Sequence, residues 1–223
     1  MLIAVHVVRE YLIDAASDQW LVLAMAFIPA RFSGEELPGG EVAELTSFLS
    51  HALLHGDFTH LAVNCGWLLA FGSIIARRID AIRFILLLAL SAVAGAMLFL
   101  VLNWGLLQPM VGASGAISGM MGAAIRFMFQ PRVPKWRGQE RQPVPLMTLP
   151  QLARDPRSRM MIGSWLALNL VFGLFLGKLF TTGGIAWEAH LGGFFAGLLA
   201  FPWFDSAAGA AVRFVEDHDP TEY

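Results

Sequence analysis

Apolar residues fall in long unbroken runs along this chain, separated by short stretches rich in charge, glycine or proline. A helix that crosses about 30 Å of hydrocarbon needs roughly 20 apolar residues, and on that ruler residues 58–76, 82–102, 160–180 and 187–204 are predicted spans. The run 114–129 is shorter. At 1.5 Å per residue it covers about 24 Å, so its first turn is expected to lie below the membrane surface. Residues 1–16 are apolar but carry His6, Arg9 and Glu10, and are read as the outer part of a first span, with an interfacial helix as the alternative. Residues 17–56 mix aromatics (Trp20, Phe27), turn residues (Pro29, Pro38, Gly39, Gly40) and scattered acids, which predicts an amphipathic first loop in the headgroup region. The expectation is an all-α membrane protein: one domain over residues 1–223, six transmembrane helices, a polar loop at 130–159 and a charged tail.

Composition supports a lipid environment. The chain is 57% apolar and 14% charged, whereas soluble domains carry about 25% charged residues. A net charge of -2 points to neither nucleic acid nor a polyanionic partner. Cys65 has no second cysteine to pair with and is read as a small buried hydrophobe. The first apolar stretch lacks a basic leader and an Ala-x-Ala site, so no cleavable signal peptide is expected. Eleven of the 15 basic residues lie in two places, Arg77–Arg83 and Arg126–Arg159. With six spans these fall on one side, so both termini are predicted cytoplasmic and Ser114 and His190 at the outward ends of their helices. The 126–159 charges are read as solvated and topology-setting rather than as a lipid or nucleic-acid site.

Chemistry concentrates in three places. Gly112-Ala113-Ser114-Gly115 puts a serine at the mouth of an apolar helix, where free N–H groups and the positive dipole end favour a developing oxyanion. An N-cap serine would explain that residue by itself. The spacing argues for more: Gly115 with Gly119, and Ser118 with Gly122, form small faces that Gly193 and Gly197 can meet, bringing two backbones close. His190 lies about one turn inside the last span, an expensive depth for an ionisable group. Nucleophile and general base therefore suggest themselves, without a carboxylate orienter, since Glu188 falls on another helix face and is read as interfacial. His60 and Asn64, four apart, supply two donors on one face for an oxyanion, with the Ser114 amide as a third. His51 and His55 are assigned to loop anchoring and a hydrated polar pocket. His51-x-x-x-His55 lacks the glutamate and third ligand of a zinc site, and no metal or cofactor is expected.

Taken together, Gly112-x-Ser114-Gly115, Ala189-His190-x-x-Gly193 and His55 followed by His60-x-x-x-Asn64 resemble the rhomboid family of intramembrane serine proteases, in family order and over a similar six-span layout. The resemblance implies a bacterial six-span rhomboid-like bundle in the inner (cytoplasmic) membrane, a Ser114–His190 dyad, and oxyanion donors from His60, Asn64 and the Ser114 amide. It also implies His55 and Gly112 as parts of a supporting polar pocket. Single-span transmembrane proteins would be the substrates, cut near the outer face, with no nucleic acid involved. A catalytically inactive rhomboid-like binder of membrane proteins is the alternative. The chain departs from some relatives in carrying Ser118 where they place a tyrosine that stacks on the histidine, leaving open what orients His190.

Overall fold

The computed structural model describes residues 1–131, 144–176 and 185–205, and these are helical apart from short connections and an isolated antiparallel bridge between Phe27 and Met110. Three helices are long and apolar enough to cross a membrane. They are α4 (Phe58–Ala76), α5 (Ala81–Leu102) and α8 (Pro156–Phe175), and each begins where the sequence breaks the apolar run with an aspartate. Asp57, Asp80 and Asp155 accept hydrogen bonds from the backbone N–H groups of His60, Arg83 and Ser158, satisfying donors that the first turn leaves free. α9 (Trp187–Phe204) matches the predicted range, but Glu188 and His190 in its first turn and Pro202 near its end lower its apolar character.

α6 (Ser114–Ile125) is the centre of the bundle. Its twelve residues extend about 18 Å, and every residue from Gly115 to Ile125 is buried. It packs against α9, α5 and α4. Glycine makes the closest of these seams possible: a Cβ at Gly193 or Gly197 of α9 would overlap the carbonyls of Gly115 and Gly119, and one at Gly95 of α5 would lie 2.6 Å from the Ala189 carbonyl oxygen. The Gly115/Gly119 and Gly193/Gly197 faces thus meet each other. Below this seam the core turns large and apolar, with Met120, Ile125, Phe194 and Phe201 all buried.

The N-terminal region differs from expectation. Residues 1–16, read as the outer part of a first span, hold α1 (Leu2–Tyr11) and only the start of α2 (Ala15–Met25), with a break at Asp14, which caps α2 through the Ala16 and Ser17 N–H groups. Ten residues cover only about 15 Å, half the hydrocarbon thickness. Within the predicted loop, α3 (Gly40–Ser50) leaves Val42, Leu45 and Leu49 exposed on one side, as an interfacial helix would. The loop is also pinned inward. Arg31 is buried and donates to the carbonyls of Leu23 and Pro38 at 2.6 and 2.9 Å, Phe27 stacks among Phe32 and Phe48, and Arg9 joins Asp18 at 2.7 Å and the His55 carbonyl at 2.8 Å.

Two basic residues counted as topology charges have structural partners. Arg126 is buried, not solvated: it follows the end of α6 and donates to the carbonyls of Met147 and Leu198, each at 2.8 Å, where a cation complements the helix dipole. Arg78 pairs with Asp205 at 2.7 Å and lies over the Phe127 ring, tying the end of α4 to the end of α9. The predicted 130–159 loop contains α7 (Leu149–Arg154), opened by a Thr148–Gln151 capping box, and the first turn of α8. Its central part, the turn predicted at 181–184, the end of the fifth span and the tail lie outside the described residues. Cys65 is half-buried in a shallow apolar groove with Leu68, Leu69 and Phe84, rather than fully enclosed.

Candidate active site

Ser114 is the first residue of α6, after an N-cap Ala113 that offers no side chain to the helix end. The backbone N–H groups of that first turn have no partners within the helix. On α9, His190 is one turn in. Because Gly193 lets α9 lie against the Gly115 carbonyl, the two short reaches meet: His190 Nε2 is 2.8 Å from Ser114 Oγ.

The other face of the imidazole is held from α8. His190 Nδ1 is 2.7 Å from Asn169 Oδ1, and Asn169 Nδ2 donates to the Trp187 carbonyl at 3.1 Å. An amide that donates through nitrogen presents its oxygen as an acceptor, so Nδ1 carries the proton and Nε2 the lone pair. Ser114 Oγ–H therefore donates to Nε2. Asn169 escaped the sequence reading; its signal was a lone amide in an otherwise apolar run from Trp165 to Val171. Glu188, read as interfacial, is buried instead and accepts from Asn103 Nδ2 at 3.1 Å. It stands on a different side of the first turn and does not reach His190.

Gly112 brings the third group into place. Its φ of +119° is left-handed, and a Cβ there would lie 2.7 Å from His60 Nε2 and 3.6 Å from Asn64 Nδ2. Glycine is thus required both for the turn and for the approach of these two side chains. His60 Nδ1 accepts from the Gly56 N–H at 3.4 Å, which leaves the proton on the Nε2 that faces Gly112. Asn64 is buried, and among the described residues its Nδ2 has no hydrogen-bond partner. Two N–H donors from α4 therefore point to the segment leading into Ser114. Leaving a buried donor unmatched costs about 1–3 kcal/mol, a cost that an arriving oxygen would remove.

The remaining histidines divide. His51 anchors: its Nδ1 donates to the Ser47 carbonyl at 2.7 Å and its own carbonyl accepts from Gly112 N–H at 3.0 Å, fixing the turn before Ser114. Burial holds its pKa down at about 4. His55 is fully buried edge-on to His60, with ring centroids 5.1 Å apart; both of its ring nitrogens lack partners among the described residues, and burial with the neighbouring His60 holds its pKa at about 4. Ser118 is buried in α6 one turn below Ser114. Among the described residues no group of three histidine, cysteine or acidic side chains is placed to hold a metal ion.

A glycine-seamed helical bundle with membrane-crossing helices and polar side chains gathered at the end of a short central helix defines an integral membrane protein with an internal polar site. The rhomboid domain model matches residues 42–205, and the chain belongs to the rhomboid family. No curated protein matches the chain.

Proposed function

We propose that the protein is an intramembrane serine endopeptidase that cleaves single-span membrane proteins near the outer face of the membrane. What carries this reading is the 2.8 Å contact between Ser114 Oγ and His190 Nε2 at the mouth of α6, in a chain of the rhomboid family. His190 takes the Ser114 proton as Oγ bonds to the scissile carbonyl carbon, then passes that proton to the amine as the C–N bond breaks. Water attacks the acyl-serine in the reverse sense and regenerates the hydroxyl. The oxyanion collects donors from His60 Nε2, Asn64 Nδ2 and the Ser114 N–H, worth about 3–4 kcal/mol per donor in comparable sites. His55 and Gly112 maintain the polar pocket around these donors. The excess of arginine and lysine after α4 and in the 130–159 loop supports a site that opens outward, with the end of α9 on the cytoplasmic side.

The test is cleavage of a single-span substrate by purified protein in liposomes. Ser114→Ala and His190→Ala should each lower the rate at least about 10³-fold without loss of folded protein. Undiminished cleavage by either variant would refute the assignment.

A further inference from the structure

Asn169 is the one described polar side chain that touches the imidazole opposite the serine, and it comes from the least embedded of the three membrane-length helices. It is buried, accepts from His190 Nδ1 at 2.7 Å and donates to the Trp187 carbonyl at 3.1 Å. Trp187 and His190 are three residues apart and share one face of α9's first turn. A single amide therefore grips both ring and backbone of that turn. The grip has a second part: Gly173, one turn after Asn169 on the same face of α8, carries no side chain where a Cβ would lie 2.5 Å from Trp187 Cβ and 2.6 Å from Cγ. A π-helical turn begins beside it at Phe172, a distortion often found at functional sites. Amide, glycine and π-turn together fit α8 to the start of α9.

Resting on the serine-hydrolase reading above, we infer that Asn169 is a positioning residue for His190, which fixes the Nδ1–H tautomer and so keeps Nε2 free to accept the Ser114 proton. A free imidazole exchanges between two tautomers, and the Nε2–H form donates to Ser114 and cannot deprotonate it. An amide does this work without burying a second charge beside a developing imidazolium, which in an apolar helix would be costly. Because Asn169 acts through the imidazole, its loss acts on turnover rather than on binding.

The experiment uses the full chain in detergent or liposomes, with ¹⁵N-labelled histidine and His190 signals assigned by their loss in His190→Ala. The wild type is expected to show the Nδ1–H tautomer alone, and Asn169→Leu a mixture. Turnover of a single-span substrate should fall about 10- to 100-fold in Asn169→Leu with KM within about twofold, and Asn169→Asp, which restores an acceptor oxygen, should recover at least fivefold of that loss. Should the leucine variant prove unfolded, Gly173→Ala, which pushes α8 off Trp187, is expected to give the same drop in turnover. Wild-type tautomer ratios in Asn169→Leu, equal turnover of the leucine and aspartate variants, or full turnover in Gly173→Ala would each overturn the inference. A wild-type protein that neither cleaves substrate nor reacts with a serine-directed inhibitor would instead remove the hydrolase reading itself, an outcome seen before any variant is compared.

Discussion

Helices α6 and α8 each bring a side chain to His190, Ser114 from one and Asn169 from the other, yet they are packed in opposite ways. Every residue of α6 from Gly115 to Ile125 is buried, whereas 11% of the apolar window of α8 is buried, against 39% for α5. The serine stands on a helix locked by backbone-to-backbone contact, and the orienting amide on one that touches the bundle along a narrow face. The nucleophile must hold its geometry closely, so it belongs on the locked part. A peripheral helix can supply the orienter because one amide and one glycine suffice to place it.

The largest effect that would break this contrast is at the seam. Gly197→Val drives a branched side chain into the Gly119 backbone, where neither helix can give, and should abolish recovery of folded protein, measured by thermal unfolding in detergent. Recovery of a stable variant would mean that α6 and α9 are not locked. Next comes a matched pair: Ile125→Ala in the core of α6 should cost about 2–5 kcal/mol, while Leu168→Ala on the exposed side of α8 should stay within about 0.5 kcal/mol. Equal losses in a bilayer would erase the distinction between the two helices.

The pH dependence sharpens the comparison at the entrance to α6. His51 and His55 are held neutral with pKa values of about 4, while an unfolded histidine titrates near 6.5. Between those values the unfolded chain binds more protons than the folded one, so stability is full above about pH 6.5 and declines as the pH falls toward 4. Unfolding midpoints should drop between pH 7 and pH 5 by the equivalent of about 1–2 kcal/mol per imidazole, and His51→Asn should reduce that slope. An unchanged slope would remove His51 from the anchor.

What could be read from the sequence was whatever a local pattern encodes. The ranges 58–76, 82–102 and 187–204 correspond to helices within a residue at each end because aspartate caps, paired arginines and aromatic borders mark them. The meeting of Ser114 with His190 was legible because glycines at matched spacing imply that two helices touch. Asn169 and Glu188 were not, since each partner lies on another helix and nothing in an apolar run says which way an amide or carboxylate faces. Arg126 was misread for the same reason: charge counted along a chain does not distinguish a solvated guanidinium from one satisfied by the Met147 and Leu198 carbonyls. The 1–16 segment stops at Tyr11 rather than Ala16, because hydropathy averages over the break that Asp14 makes before α2.

The central claim is that one hydroxyl in this chain is a nucleophile. Treating the protein in liposomes with a fluorophosphonate and mapping the adduct by mass spectrometry tests it directly: a single modification on Ser114, absent in His190→Ala, is the predicted result. An adduct on another serine, or continued substrate cleavage with Ser114 unmodified, would contradict the account.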